Sequence, residues 1–289
     1  MHARVVAATV AAVLGTAALL SPGSDARAGG VGEPTVVAHR GASAYAPENT
    51  LASIDKAAQL GFSWVENDVQ RTKDGELVVI HDDSLQRTTN VERVYPDRAP
   101  WKVKDFTAAE IARLDAGSWY SPAYAGTRVP TLEQYMRRVE HNHEKLLLEI
   151  KNPELYPGIE QQTLKLLGNE GWLDHKHLDR LIVQSFSADS IRTVHELKPA
   201  ITTGYLGSPT VAQLHQYAGF TDLVNPSYGS LSKAYVAAVH AFDGPHGRPL
   251  EMFAWTVNDA ATARKIAGYD VDGIITNRPD VVRAALASD

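Results

Sequence analysis

Short apolar runs rich in valine and isoleucine alternate with segments of helical period from residue 35 onward. Such runs predict β-strands when turn residues or helical segments bound them. The predicted strands are residues 35–41, 64–70, 76–82, 145–151, 181–186, 201–207, 222–228, 251–258 and 273–279. Among the segments between them, 48–61 and 131–142 have the clearest helical period. Asn49 and Thr50 offer N-cap chemistry for the first of these helices.

The order of these elements indicates an α/β protein. Residues 64–70 and 76–82 are separated by the turn Lys73-Asp74-Gly75 and count as one extended unit, which leaves about eight strand positions. Strands that alternate with helices imply right-handed parallel crossovers. Eight such units in about 250 residues predict a (β/α)8 TIM barrel. The alternative is an open doubly wound sheet, but no Gly-x-Gly-x-x-Gly turn follows the first strand.

One segment interrupts this alternation. Residues 83–130 contain several prolines and aromatic residues, with only a weak helical period at 107–114. We therefore predict one barrel domain over residues 29–289, with 83–130 as an insertion or cap after the second strand unit. A long irregular insertion in a barrel usually forms a lid or a wall of the site. The alternative is a surface excursion with its own small aromatic cluster.

The N-terminus indicates an export signal at residues 1–28. Arg4 is followed by an apolar run at 5–20, and the sequence Ala-Arg-Ala at 26–28 fits a signal-peptidase site. The apolar run is shorter than the roughly 20 residues of a membrane span. We expect a secreted protein with no stable membrane span after cleavage; an uncleaved anchor is the alternative. Because cysteine is absent, stability must come from the core and a bound metal.

Charge and composition narrow the classes of partner. The formal net charge of −6 and the scattered basic residues exclude the electrostatic footprint of a nucleic-acid-binding protein. A small substrate that carries phosphate would still need a local positive centre. Arginine, lysine or a metal ion would supply it. The sequence makes no prediction of oligomeric state.

Three carboxylates are candidates for a metal site. Glu66 and Asp68 are two residues apart on one strand, so both point to the same face, and Glu149 lies near the end of another strand. In a TIM barrel the C-terminal ends of the strands carry the chemistry. Buried like charges need a compensating cation, and oxygen ligands favour a hard ion such as Ca²⁺ or Mg²⁺. Alternatively, the acids pair with Arg40 or Lys151.

Two histidines are candidates for proton transfer. His39 and His81 each follow an apolar run, at the rim where barrel sites form. Imidazole exchanges protons near neutral pH, so the pair could supply a base and an acid. The alternatives are structural histidines or metal ligands; no Gly-x-Ser-x-Gly turn supplies a serine nucleophile. We expect four further histidines to be exposed and without chemistry: His141, His143, His175 and His177.

Two basic residues lie beside these groups. Arg40 follows His39 directly and could hold phosphate oxygens with its planar guanidinium. Lys151 is two residues from Glu149 and faces the same interior. Charge balance for the carboxylates is the alternative role, and the two roles are compatible. A site with three carboxylates, two basic residues and two histidines suits the cleavage of a phosphodiester, because the charge on the phosphate grows in the transition state.

The residues that carry this chemistry resemble a known family. Residues 38–90, AHRGASAYAPENTLASIDKAAQLGFSWVENDVQRTKDGELVVIHDDSLQRTTN, are similar to the N-terminal signature of the glycerophosphodiester phosphodiesterases. That signature is HRG, PENT, E-x-D, T-x-DG, V-x-HD and R-T, and every element occurs here in order. Later landmarks are also similar: LEIK at 148–151, QSF at 184–186, WTVN at 255–258 and GIITNRPD at 273–280.

The resemblance implies a TIM barrel with an insertion after the second strand unit. It implies metal-dependent hydrolysis of glycerophosphodiesters to glycerol 3-phosphate and an alcohol, by a phosphoric diester hydrolase. Carried over residue by residue, the family's metal ligands match Glu66, Asp68 and Glu149, its base and acid match His39 and His81, and its phosphate-proximal positions match Arg40 and Lys151. Asn67, between two of the acids, is the one departure, and it should face outward.

Several points stay open at this stage. Ca²⁺ is the expected ion because the exterior of the cell is rich in calcium, with Mg²⁺ as the alternative. Phe186 and Trp255 are candidates to pack against the glycerol carbons; rim packing is the alternative. A phospholipase D or sphingomyelinase D type activity on lysolipids would use the same site. A non-catalytic ligand-binding barrel should lack a histidine or an acid, and none is missing.

Overall fold

A computed structural model of the protein describes residues 32–287, so the predicted signal peptide at 1–28 lies outside the described residues. The strands are β1 Thr35–Ala38, β2 Trp64–Arg71, β3 Leu77–Val79, β4 Lys145–Ile150, β5 Leu181–Ser185, β6 Thr202–Leu206, β7 Leu223–Asn225, β8 Phe253–Ala254 and β9 Gly273–Thr276. The α-helices are α1 Leu51–Gln59, α2 Val91–Val94, α3 Ala108–Ile111, α4 Leu132–His141, α5 Ile159–Asn169, α6 Ala188–Leu197, α7 Leu214–Tyr217, α8 Lys233–His240, α9 Ala260–Ala267 and α10 Pro279–Leu286.

Eight of these strands form a parallel barrel. The order across the sheet is β7-β6-β5-β4-β2-β1-β9-β8, with parallel pairing throughout. Parallel bridges between Leu223 and Glu251 and between Ser227 and Trp255 connect the two ends of this order. The predicted (β/α)8 TIM barrel is confirmed. β3 pairs antiparallel with β2 outside the barrel order, so 64–70 and 76–82 do form one unit.

The strands are shorter than the predicted runs because their polar ends turn into loops. β1 ends at Ala38, and the chain then passes through left-handed conformations at Arg40, with φ 55°, and Gly41, with φ 77°. A Cβ at Gly41 would lie 2.6 Å from the Cβ of Ser53 on α1, so glycine permits this close approach. The turn leaves His39 and Arg40 at the rim of the barrel.

Capping threonines set the starts of the predicted helices. Thr50 and Thr131 each accept a hydrogen bond from the backbone N–H three residues on and so begin α1 and α4. Thr107 does the same for α3, within the weakly periodic part of the insertion. The observed helices therefore start one or more residues after the predicted boundaries at 48 and 131, because the cap itself is not helical.

The barrel interior changes from apolar to polar along each strand. Its apolar layer consists of Val37, Leu147, Ile182, Leu223, Phe253 and Ile275, with Trp64 and Trp255 packed against it. Because side chains alternate with a period of two, the next inward positions are His39, Glu66, Glu149, Gln184, Asn225, Trp255 and Asn277. These side chains, which are polar or charged except for Trp255, therefore form a ring at the C-terminal mouth of the barrel.

The 83–130 segment has a small core of its own. Leu85, Val91, Phe106 and Leu114 are fully buried there, together with Val78 of β3. The segment also touches the loop after β1, where the Tyr120 and Tyr124 hydroxyls donate to backbone carbonyls of residues 44 and 45, at 2.6 and 2.9 Å. It is thus attached to the rim of the barrel that bears His39 and Arg40.

His177 was expected to be exposed, but it is buried: its Nδ1 lies 2.9 Å from the Gly171 carbonyl and its ring stacks on Trp172. Its helix-end position in the sequence did not reveal this packing.

Within residues 32–287, no helix is long and apolar enough to cross a bilayer.

Candidate active site

The structure brings eight of the nine predicted site residues into the lining of one cleft at the C-terminal mouth of the barrel, and it places the ninth, Asp68, beside that cleft. The cleft has a cavity volume of about 90 Å³. It is lined by His39, Arg40, Glu66, His81, Glu149, Lys151, Gln184, Phe186, Leu206, Trp255, Thr256 and Ile275. Asp68 is buried next to this lining, with Oδ2 3.3 Å from Arg40 Nε and Oδ1 3.6 Å from Lys151 Nζ.

Glu66, Asp68 and Glu149 form a compact acidic cluster. One oxygen from each carboxylate lies within 4.8 Å of the others, and all three side chains are buried. The register explains this convergence, because Asp68 on β2 is paired directly with Glu149 on β4, and Glu66 is two residues before Asp68. Three oxygen donors at this separation are a donor set suited to a hard divalent cation.

The charge balance of the cluster also suits a cation. Burial, and then the neighbouring carboxylates Asp68 and Glu149, raise the pKa of Glu66 well above its usual range. Burial and Asp68 likewise raise the pKa of Glu149 to about 8. Asp68 Oδ1 is buried and accepts no hydrogen bond from any residue of the described range 32–287. An added positive charge would relieve this repulsion, so the residues present could bind a metal.

Arg40 and Lys151 partly offset the acids, as the sequence allowed. Burial alone would raise the pKa of Asp68, but Arg40 and Lys151 lower it below its usual range. Lys151 Nζ also lies 2.8 Å from Glu149 Oε1. Two positive side chains face three carboxylates, so a negative charge remains when all are ionised. The ion pairing that the sequence offered as the alternative to a metal is thus present. It leaves a net negative charge that a bound cation could offset.

His39 is held with one ring nitrogen toward the cleft. Its Nδ1 lies 2.6 Å from Asn277 Oδ1, a carbonyl oxygen, so Nδ1 carries the proton and Nε2 has the free lone pair. Nε2 is 3.9 Å from Glu66 Oε2. Burial, followed by the nearby Arg40, lowers the pKa of His39 to about 4. The imidazole is therefore neutral at physiological pH and able to accept a proton.

His81 has a different partner. Its Nδ1 lies 2.6 Å from the Asp82 carboxylate. Burial, followed by the charges of Arg40 and Lys151, lowers the pKa of His81, while Asp68 and Asp82 act in the opposite direction. A carboxylate partner stabilises the imidazolium form, whereas the amide partner of His39 does so less. The carboxylate partner therefore supports the protonated form of His81 more than the amide partner supports that of His39.

A group of charged residues behind the histidines was not identified from the sequence. Glu48 accepts from Arg40 Nη1 at 2.9 Å and from Arg87 Nη2 at 2.7 Å. Arg87 Nε also donates to Asp82 Oδ2 at 2.6 Å. A single arginine of the insertion therefore connects the partner of Arg40 to the partner of His81.

Three asparagines also orient the site. Asn49 donates to Asp68 Oδ2 at 2.8 Å, and Asn277 contacts His39. Asn225 donates to Gln184 Oε1 at 2.9 Å, and its backbone carbonyl accepts from Trp255 Nε1 at 2.7 Å. The motifs PENT, HD and R-T contain Asn49, Asp82 and Arg87, so the signal was present in the sequence, but only the fold gives the contacts.

Phe186 and Trp255 form an aromatic wall of the cleft. Their ring centroids are 5.5 Å apart in an edge-to-face arrangement, and Phe186 is half exposed. Lys151 Nζ lies 5.1 Å from the Phe186 ring centroid. The two rings thus offer an apolar surface beside the charged groups.

The comparison with protein-family models decides the family. Residues 39–281 match the model of the glycerophosphoryl diester phosphodiesterase family. The chain belongs to this family. The protein is therefore an enzyme, a glycerophosphodiester phosphodiesterase, as its sequence predicts. The matched range covers both histidines, all three carboxylates and the 83–130 insertion.

Individual relatives cover nearly the whole chain. The phosphodiesterase is 36% identical over 286 residues to the glycerophosphodiester phosphodiesterase of Bacillus subtilis, with 91% of each chain covered. It is 34% identical over 250 residues to that of Caldanaerobacter subterraneus, covering 86% of this chain and 95% of the relative. Among solved structures, an Oleispira antarctica phosphodiesterase in complex with the product sn-glycerol-3-phosphate is 31% identical, with a TM-score of 0.74, and covers 88% of this chain and 97% of that chain.

Proposed function

We propose that the enzyme hydrolyses glycerophosphodiesters to glycerol 3-phosphate and an alcohol, with a divalent metal and two histidines. One observation carries the proposal: two imidazoles, each with Nδ1 engaged by a different partner, line the same cleft as a buried triad of carboxylates. The named product in the Oleispira antarctica structure supports glycerol 3-phosphate as the product.

Glu66, Asp68 and Glu149 are the residues that would hold the metal. A bound divalent cation would offset the negative charge of the phosphate and polarise its oxygens. We propose Ca²⁺, with Mg²⁺ as the alternative. All-oxygen donors suit both ions, and the calcium-rich exterior favours Ca²⁺ if residues 1–28 direct export. Secretion is part of this proposal and rests on the sequence of those residues.

The chain's own groups supply the proton transfers. Arg40 and Lys151 bind the phosphate oxygens through charge-assisted hydrogen bonds. His39 takes a proton at Nε2 from the nucleophile. If the nucleophile is water, glycerol 3-phosphate forms directly; if it is the glycerol hydroxyl next to the phosphate, a cyclic phosphate forms, which water then opens to glycerol 3-phosphate. His81 gives its Nε2 proton to the departing alcohol oxygen as the P–O bond breaks. Phe186 and Trp255 pack against the glycerol carbons.

The single-histidine variants His39→Ala and His81→Ala test these roles. Each should lower turnover by about 10²- to 10⁴-fold, because each removes one proton-transfer group. Far-ultraviolet circular dichroism should stay unchanged. His215→Ala, at an exposed histidine on α7, is the matched control and should retain full turnover. Near-normal turnover of the His81 variant would refute its role as the acid.

A substrate panel tests the reaction itself. Glycerol 3-phosphate released from several glycerophosphodiesters is measured with and without added metal, and after titration with a chelator. Activity that a chelator leaves unchanged would remove the metal from the proposal. Lysophosphatidylcholine belongs in the panel, because faster turnover of this lysolipid would favour the phospholipase D type alternative.

A further inference from the structure

A fully buried glutamine shares β2 with two of the acidic residues. Gln70 is 0% exposed and follows Asp68 by two residues, so the two side chains point to the same face of the strand. Gln70 does not line the cleft, and we therefore expect no direct contact between it and a bound substrate. Its amide instead contacts the segment that carries His81.

The Gln70 amide holds the backbone on both sides of His81. Its Nε2 lies 3.0 Å from the carbonyl oxygen of Ile80, 2.9 Å from that of His81 and 2.6 Å from that of Asp82. An amide nitrogen has two hydrogens to donate, so three consecutive carbonyls share them. The chain at residues 80–82 is therefore curled around a single side chain.

A tyrosine from the loop after β4 fixes the orientation of this amide. Tyr156 follows the 3-10 turn Pro153–Leu155, and its hydroxyl donates to Gln70 Oε1 at 2.8 Å. Carbonyl oxygens only accept hydrogen bonds, so Nε2 and not Oε1 must face residues 80–82. Both side chains are buried, where an unsatisfied amide or hydroxyl is costly. The contacts of the pair therefore favour one arrangement of the Gln70 side chain.

The segment that Gln70 holds carries the proposed proton donor and its partner. β3 ends at Val79, so residues 80–82 lie beyond its pairing with β2. The side chains of His81 and Asp82 are 29% and 30% exposed, so packing around them is incomplete. Asp82 restrains the rotation of the imidazole through the 2.6 Å contact with Nδ1. Gln70 restrains the backbone from which that imidazole extends.

We propose that Gln70 is a positioning residue for the proton donor: together with Tyr156, it holds the backbone of His81 so that the imidazole reaches the departing alcohol oxygen. The inference rests on the proposed function and adds to it two residues outside the cleft lining. A displacement of about 1 Å in a reacting group can cost about 10²-fold in rate. Loss of Gln70 should therefore impair proton transfer to the leaving group, and not the binding of phosphate by Arg40 and Lys151.

The test compares two substrates whose leaving groups differ in their need for an acid. Choline leaves glycerophosphocholine as a strongly basic alkoxide unless it receives a proton, whereas 4-nitrophenolate leaves the 4-nitrophenyl ester of glycerol 3-phosphate without one. Methionine keeps the length of Gln70 and removes its donors. For Gln70→Met, kcat on glycerophosphocholine should fall by about 10- to 100-fold, and kcat on the nitrophenyl ester by less than about threefold. KM should stay within about twofold for both substrates.

Tyr156→Phe is a milder variant, because it removes one hydroxyl and keeps the buried ring. It loosens the Gln70 amide without removing it. The expected fall in kcat on glycerophosphocholine is about two- to tenfold, the value of one hydrogen bond, with little change on the nitrophenyl ester. This variant decides the question if Gln70→Met does not fold.

Gln162→Met is the matched control. Gln162 is a partly exposed glutamine of α5 whose Nε2 also donates to a backbone carbonyl, that of Gly75 in the turn after β2. It does not line the cleft. The variant removes the same amide without altering the contacts of residues 80–82, so both kcat values should stay unchanged.

Equal losses of kcat on the two substrates would overturn the inference, because a general effect on the fold does not depend on the leaving group. A normal kcat on glycerophosphocholine for folded Gln70→Met would overturn it as well. His81→Ala should show the same dependence on the leaving group, and its absence in this variant would overturn the acid role in the proposed function. If His81→Ala showed it and neither Gln70→Met nor Tyr156→Phe did, the inference alone would fail.

Discussion

The Arg87 guanidinium lies against the Asp82 carboxylate, with Nε 2.6 Å from Oδ2 and Nη2 3.0 Å from Oδ1. Asp82 in turn holds His81 at 2.6 Å. The same guanidinium donates two hydrogen bonds to Glu48, the partner of Arg40. Arg87 belongs to the 83–130 insertion, so this segment contacts the partners of His81 and Arg40 although Arg87 does not line the cleft. We regard Arg87 as a positioning residue.

The first prediction concerns Arg87→Ala. Exposed ion pairs contribute little to stability, and the Arg87 side chain is 44% exposed, so the free energy of unfolding should fall by less than about 1 kcal/mol. We expect kcat to fall by about 10- to 100-fold, because His81 loses the restraint on its orienting carboxylate. KM should change less, since Arg40 keeps its contacts with Glu48 and Asp68.

Two further variants separate positioning from a general effect of the insertion. Arg87→Lys keeps the charge but not the planar fork and should restore only part of kcat. Arg93→Ala, at an exposed arginine of the same insertion, is the matched control and should behave like the unmodified enzyme. A normal kcat for Arg87→Ala would contradict the positioning role.

The second prediction concerns Glu144, a buried carboxylate at the start of β4. Burial raises its pKa from 4.5 to about 8. The unfolded chain therefore ionises this group from pH 4.5 upward while the folded protein keeps the proton, and stability is lost progressively up to about pH 8. Glu144→Gln should gain on the order of 2 kcal/mol at pH 8 and nothing at pH 4. Urea unfolding across this pH range measures the difference.

The control for this pH dependence is Glu160→Gln, which removes one negative charge from a partly exposed position. The Asn142 amide that contacts Glu144 Oε2 at 3.2 Å can still donate to a glutamine carbonyl. A gain of equal size at pH 4 and pH 8 would mean that packing, and not ionisation, distinguishes the two side chains.

The sequence predicts which residues meet at the cleft where the two-residue period of a strand fixes the direction of their side chains. Glu66 and Asp68 share a face because strand side chains alternate, and β4 supplies Glu149 at the paired position. His39 and Asn277 are 238 residues apart, and only closure of the barrel brings them together. Arg87 lies in a segment with no strong period, so nothing local in the sequence predicts its two partners.

Asn67 shows a second limit of sequence reasoning. Its outward direction follows from the strand period, and the register agrees, since Asn67 lies opposite Leu148 in the layer between sheet and helices. In a TIM barrel, however, a strand side chain that points outward is covered by the surrounding helices. Asn67 is accordingly fully buried. We therefore expect this position to affect the stability of the fold, although it does not line the cleft.

The third prediction concerns metal removal. In the metal-free protein, Glu66→Gln should raise the free energy of unfolding at pH 8 by on the order of 2 kcal/mol, because it removes one of three buried, mutually repelling carboxylates. The glutamine carbonyl can still accept from the Arg40 backbone N–H, which lies 2.9 Å from Glu66 Oε2. Adding Ca²⁺ should raise the Tm of the unmodified enzyme but not that of Glu66→Gln.

Glu144→Gln serves as the control for this metal effect, since it alters a buried carboxylate outside the acidic cluster. Its Tm should still rise on addition of Ca²⁺. If Ca²⁺ and Mg²⁺ both left the Tm of the unmodified enzyme unchanged, the cluster would not be a metal site under those conditions, and the proposed metal dependence would fail with it.

The fourth prediction follows from the unpaired amide of Asn67. Neither its Oδ1 nor its Nδ2 has a hydrogen-bond partner within residues 32–287, although the side chain is fully buried. Leaving a buried polar group unsatisfied costs about 1–3 kcal/mol. Asn67→Val should therefore raise the free energy of unfolding by about 1–2 kcal/mol, since valine suits a strand and needs no partner.

Asn67→Thr separates the polar cost from the change in shape. Threonine has nearly the shape of valine but keeps a hydroxyl, so this variant should be less stable than Asn67→Val. Both should keep the kcat of the unmodified enzyme, because the position faces away from the cleft. If Asn67→Val were the less stable of the two, the amide would have to be satisfied in solution, by bound water within the helix-facing layer, and the asparagine would be a structural requirement of β2.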